Sequence, residues 1–148
     1  MVIAIIGESC TGKSTISDEL ARRVHAKVFM GKDYLKLAKS EPEARKMFIE
    51  LLSVNASTGE TIIFVITETE HLSFLPPKAL RVLVTAELET IKARFAKRMN
   101  GVLPPRVEAM LEEKHGMFDE TECDFHIENT DVGISDICDK IMAVYSES

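Results

Sequence analysis

A chain of 148 residues is the size of one folded domain with a real core, and too small for two. Acidic side chains outnumber basic ones for a formal charge of −6, with no block of like charge, which speaks against a general nucleic-acid surface or an anionic membrane as partner. The three cysteines, Cys10, Cys123 and Cys138, have no paired spacing, so neither a disulfide framework nor a zinc site is expected and a reducing, cytoplasmic setting is.

The chain opens on a short β-branched run, residues 2–6. It is too short to span a membrane and has no basic leader, so it predicts a strand buried on both faces. Gly7, Glu8, Ser9, Cys10, Thr11, Gly12, Lys13 and Ser14 follow as GESCTGKS, which fits the phosphate-binding P-loop, Gly-x-x-x-x-Gly-Lys-Ser/Thr. The two glycines let successive backbone amides turn inward as a nest for phosphate oxygens, and the helix starting at Lys13 adds its positive end. Lys13 is expected on the β- and γ-phosphates, the Ser14 hydroxyl on Mg²⁺, and Thr15 beside a phosphate. Ile16, Leu20 and Val24 continue at helical spacing to about residue 25.

Residues 27–30 predict a second strand, closing on Gly31-Lys32-Asp33, and residues 34–39 a helical stretch. Ser40-Glu41-Pro42 reads as a cap with proline in the first turn of a helix reaching about residue 52. Residues 53–60 are small and polar, hence a loop. The apolar run 61–67, TIIFVIT, predicts a strand ending at the polar group Glu68-Thr69-Glu70-His71. After Pro76-Pro77 come a strand over 80–85, a charged helix over 87–99 stopped by Asn100-Gly101, and a helix over 106–115. A last strand over 124–127, a loop over 128–132 and an amphipathic helix over 133–145 close the chain. This alternation predicts a three-layer α/β/α sandwich with a mostly parallel five-stranded sheet, one domain over 1–148, binding ligands beyond the carboxyl ends of its strands.

Several residues are placed for chemistry. Arg94 and Arg98, four apart, share a helix face where planar guanidinium groups suit phosphates and aromatic surfaces. Asp33 either orients an acceptor hydroxyl and takes its proton, holds Mg²⁺ through water, or caps the helix at Tyr34. Glu68 and Glu70 either bind Mg²⁺ through water, grip the acceptor, or end a strand as plain polar residues. Arg45 is a candidate phosphate contact. His71, His115 and His126 lack ligand spacing, and His115 is close enough in sequence to Asp119 to interact. No Asn-Lys-x-Asp base-reading signature of GTPases is present, since the late loop reads Glu128-Asn129-Thr130-Asp131.

The P-loop at the N-terminus, the short chain, five predicted strands and the Arg94/Arg98 pair together resemble the nucleoside monophosphate kinase superfamily, which includes adenylate and shikimate kinases. That resemblance implies the P-loop kinase fold, ATP and Mg²⁺ as cofactors, a substrate flap over about 33–55 and a short lid over about 100–118. It implies that Arg94 stacks on adenine and Arg98 contacts phosphates, that Asn129 and Asp131 lie at the adenine pocket, and that Arg106 and Lys114 bring charge from the lid. Lys32-Asp33-Tyr34-Leu35 partly resembles the Gly-Asp-Phe-Leu pattern of gluconate-kinase-like enzymes, where the aspartate faces the γ-phosphate. The expected activity is γ-phosphoryl transfer from ATP to a small molecule, a nucleotide or nucleoside being favoured. A shikimate- or gluconate-like hydroxyl acceptor and a non-catalytic nucleotide-binding regulator are the alternatives. A monomer or homodimer is expected.

Overall fold

The computed structural model describes residues 1–58, 60–128 and 133–146. Five strands, β1 (Val2–Ile6), β2 (Lys27–Met30), β3 (Ile62–Ile66), β4 (Leu80–Thr85) and β5 (Phe125–Glu128), form one sheet in the order β2-β3-β1-β4-β5. Every neighbouring pair is parallel. Parallel strands need crossover connections, which cover both sheet faces with helices; β1 and β3 accordingly read as unbroken apolar runs with every residue buried.

Five α-helices supply the outer layers: α1 (Lys13–Val24), α2 (Glu41–Asn55), α3 (Leu88–Arg98), α4 (Pro105–Lys114) and α5 (Ile134–Ser146). Strand periodicity sorts the core into two halves. Ile3, Ile5, Ile63 and Val65 face Ile16 and Leu20 of α1 and Cys138 and Ile141 of α5. Ala4, Ile6, Phe64 and Ile66 face Ala44, Phe48 and Leu52 of α2, joined by Tyr34, Phe74 and Phe118. Phe48 is the hub of this second half, its ring 4.8 Å from Phe64 and 4.9 Å from Phe29.

The capping signal before α2 acts as expected, with the Ser40 hydroxyl accepting from the Glu43 amide and Pro42 in the first turn. The helix runs on to Asn55. Two tight helical segments differ from the expected pattern. The stretch expected at 34–39 is a 3₁₀ segment beginning earlier, Gly31–Leu37, so Asp33 lies inside it rather than ahead of it. The polar residues after β3 enter a second one, Thr69–Phe74. Side chains three apart share one side of such a turn, and here His71 and Phe74 are both buried.

The region expected as flap contributes fully buried side chains to the core, and the region expected as lid is anchored to it at Leu111 and Phe118. Phe48 and Leu52 of α2 are fully buried, making that helix one of the sandwich layers. The 100–118 segment turns at Asn100 and Gly101, both in the left-handed region. It then lays Leu111 of α4 against Ile91, Ala86 and Cys10, and finally buries Phe118 in the main core. Lys92, which its helix pattern assigns to the polar face, bridges α3 to α4 through Glu108 and Glu112.

Candidate active site

The phosphate loop is shaped by close approach as well as by turning. Gly7 still belongs to the sheet, its amide donating to the Ile66 carbonyl at 3.0 Å. A Cβ there would stand 2.4 Å from the Val84 carbonyl oxygen. Cys10 and Gly12 take φ of 63° and 97°, folding the loop back toward α1. No side chain caps α1, and its first turn holds no acidic residue, so its leading amides stay available to an anion.

Lys13 is 6% exposed. Its ammonium donates to the Glu8 carbonyl. Burial pushes its pKa down to about 8, and the charge of Arg98 acts in the same direction, while Cys10 and Glu8 oppose it. Burial that disfavours the charge of a lysine at a helix start is a penalty that an anion arriving beside it would relieve. Lys13, Ser14, Thr15, Ser9, Cys10 and Gly12 line a cavity of about 240 Å³, completed by Met30, Val65, Thr67 and Arg98.

The two arginines of α3 divide their work. Arg98 lines the cavity, whereas Arg94 donates to the Cys10 carbonyl at 3.0 Å. The guanidinium expected to stack on adenine thus has one nitrogen on the backbone of the phosphate loop. Ser14 and Thr15 are exposed toward the cavity.

At the end of β2, one oxygen of Asp33 accepts from the Met30 amide at 2.9 Å. Its capping is therefore backward, onto the end of β2, and not onto a helix at Tyr34. Glu68, Glu70 and His71 bring ligand-type atoms within 4.8 Å of one another at the end of β3. A hydrogen bond with Glu70 holds the Glu68 carboxyl below its ordinary range, helped by His71, Lys32 and Lys114. His71 itself packs among Tyr34, Phe64 and Phe74. The Ser14 hydroxyl facing the cavity is a hard oxygen donor of the kind that suits Mg²⁺, and the carboxylates of Glu68 and Glu70 offer others in their own cluster at the end of β3.

Arg45 makes an exposed bidentate pair with Glu41 along α2, and its charge also acts on Tyr34. Arg106 is exposed in the first turn of α4. Asn129 and Asp131 lie outside the described residues.

One pair was not legible beforehand. His115 is not joined to Asp119; its Nδ1 meets the Glu8 carboxylate at 3.0 Å. The Gly116 amide donates to the other Glu8 oxygen at 3.1 Å. More than a hundred residues separate these partners, and no local spacing announces such a contact.

No protein-family profile matches the chain. No curated protein matches it in sequence. Solved structures do match its fold. An uncharacterized protein from Eubacterium ventriosum superposes with a TM-score of 0.71 at 17% identity, covering 100% of this chain and 99% of the other. A shikimate kinase from Acinetobacter baumannii, solved with shikimate, gives 0.63 at 17% identity over 99% and 93%. A gluconokinase from Sinorhizobium meliloti gives 0.57 at 12% identity over 96% and 89%. Among the described residues no helix is long and apolar enough to cross a membrane. With its parallel sheet, its glycine-bounded phosphate loop and these neighbours, the chain has the α/β fold of the small-molecule P-loop kinases.

Proposed function

We propose that this protein is a small-molecule kinase that moves the γ-phosphoryl group of ATP to an acceptor hydroxyl. The observation that carries this reading is the buried Lys13 facing one cavity together with Arg98 and the open first turn of α1. Phosphoryl transfer asks chiefly for positioning and charge neutralisation, which these groups supply. Bound Mg²⁺ contributes further neutralisation of the phosphate charge. Lys13 and Arg98 hold the transferring oxygens. Asp33, steadied by Met30 through one oxygen, uses the other to orient the acceptor hydroxyl and receive its proton as the O–P bond forms and ADP leaves.

The acceptor side favours a hydroxyl-bearing metabolite over a nucleoside monophosphate. Arg45 is paired with Glu41 on an exposed helix face, and the end of β3 presents carboxylates where a phosphate-binding cation would be needed. The neighbours named as shikimate kinase and gluconokinase point the same way.

Purified protein with Mg-ATP and a panel of nucleosides, nucleoside monophosphates, shikimate, gluconate and sugars tests the proposal through ADP release. Acceptor-dependent ADP with a non-nucleotide hydroxyl compound is the expected result. ATP binding with no acceptor-dependent ADP across the panel would instead favour a nucleotide-binding regulator. Asp33 has its own test. Asp33→Asn keeps an acceptor for the Met30 amide, so it should retain stability and ATP affinity while turnover falls about hundredfold. Asp33→Ala should cost about 1 kcal/mol of stability besides. Equal loss of ATP affinity and turnover in Asp33→Asn would confine Asp33 to its structural bond.

A further inference from the structure

The polar group at the end of β3 contains a histidine that core packing does not explain. His71 is 2% exposed and is walled by Tyr34, Phe64 and Phe74, with ring centroids at 5.8, 5.9 and 5.2 Å. Among the described residues its Nδ1 has no hydrogen-bond partner, and its Nε2 stands 4.0 Å from a Glu68 oxygen, beyond hydrogen-bond reach. A buried imidazole without hydrogen bonds is costly, and an apolar side chain would fill the same place without that cost. Nε2 faces carboxylates instead: Glu68, Glu70 and His71 each bring a ligand-type atom within 4.8 Å of the other two. Two carboxylates so close repel each other unless a proton or a cation lies between them. The turn Thr69–Phe74 gathers the set, with the His71 amide donating to the Glu68 carbonyl at 3.1 Å and the Ser73 hydroxyl to the Glu70 carbonyl at 2.9 Å.

We infer that Glu68, Glu70 and His71 form a binding site for a divalent transition-metal ion, with Zn²⁺ the best fit, separate from the Mg²⁺ that accompanies a nucleotide. The donor set decides the metal. Carboxylate oxygens alone suit Mg²⁺ or Mn²⁺, whereas an imidazole nitrogen beside them selects Zn²⁺ and its neighbours. Position separates the two sites: Ser14 lines the phosphate cavity, whose lining includes Thr67 but none of these three residues. Ligands about 2.1 Å from one ion stand about 3.0–3.5 Å apart, so the three atoms have about 1 Å to close. Packing holds His71, while the Glu68 side chain is 46% exposed and Glu70 is exposed, so both carboxylates have room to rotate toward it. Three protein ligands leave a coordination position for water or another small oxygen ligand. No zinc spacing is visible in the chain because the set uses no cysteine and needs this turn to assemble it. The site does not rest on the kinase reading.

Zinc titration of the nucleotide-free protein tests the site, read by competition with a chromophoric chelator and by ¹H–¹⁵N spectra of the imidazole rings. Zn²⁺ should shift the His71 Nε2 resonance while the rings of His25, His115 and His126 stay unchanged, and about a thousandfold excess of Mg²⁺ should not displace it. Glu68→Gln and Glu70→Gln should each weaken Zn²⁺ about tenfold or more. His71→Leu should abolish the binding and melt no lower than the unaltered metal-free protein, since it removes a buried polar group. Cys123→Ser should leave the affinity as it was. Equal Zn²⁺ affinity in both glutamine variants, a shift confined to the other histidines, loss of binding in Cys123→Ser, or displacement by Mg²⁺ would each overturn the site. If His71→Leu does not fold, the two glutamine variants and the His71 resonance decide. Absence of phosphoryl transfer would refute the kinase reading and leave this titration untouched.

Discussion

Lys13→Met should yield a protein that is more stable and almost unable to hold nucleotide. The unaltered side chain keeps an ammonium group buried between the loop backbone and Arg98, and its pKa drops from 10.5 to about 8. That displacement corresponds to about 3 kcal/mol of charge-burial cost at neutral pH, an upper bound on what methionine recovers. Below pH 8 the lysine is charged in both folded and unfolded chains, so the cost is fully present there. Between pH 8 and 10.5 the unfolded chain binds the extra proton, so stability contributed by this group rises with pH. The advantage of the methionine variant in thermal melting should therefore be largest near pH 7 and fade toward pH 10.5. Triphosphate affinity should fall about hundredfold, since a charge-assisted contact is lost. In the unaltered protein, affinity should weaken above pH 8, where binding has to recover a proton for Lys13. Melting curves across pH with and without Mg-ATP check all three; a variant that melts lower at pH 7 in the absence of nucleotide would refute the burial argument.

Gly7→Ala is the second large effect, and its cause lies outside the loop. The added methyl would stand 2.4 Å from the Val84 carbonyl oxygen and 2.8 Å from the Thr11 hydroxyl. The first neighbour is backbone of β4 and cannot swing aside. Either β1 and β4 separate or the loop lifts, at about 3 kcal/mol. Nucleotide affinity should drop at least tenfold, because a lifted loop misaligns its amides. Denaturant unfolding and a nucleotide titration measure the two losses, and a variant with unchanged midpoint would show that the strands yield easily.

What could be read from the sequence follows the reach of the interactions. Strand β1, the phosphate loop and α1 are legible because each is written in adjacent residues: an apolar run, two glycines, an i, i+4 stripe of Ile16 and Leu20. A spacing of four also puts Arg94 and Arg98 on one helix face, but the contact of Arg94 with the Cys10 carbonyl is not written in it. Partners distant in the chain stay hidden. The docking of α4 depends on Leu111 meeting Ile91 and Cys10, and the contact of Glu8 depends on a glycine more than a hundred residues away. Asp33 shows an intermediate case: its capping character is evident from its type, but the direction of the bond awaited the 3₁₀ turn that returns it to Met30. Lys92 looks like surface charge until α4 covers it.

The place of β1 in the sheet bears on how the protein acquires its shape. Val2 pairs with Ile62 and Ile3 with Leu80, so the strand that leads into the phosphate loop is flanked on both sides by segments far along the chain. Such non-local pairing makes for slow folding, because long stretches must be ordered before the contacts form. Until they do, Val2–Ile6 is a bare β-branched strand able to pair with another chain. The loop that follows β1 thus depends for its shape on strands that are made much later in the chain, and conditions that delay closure of β4 onto β1 should appear first as aggregation through that strand.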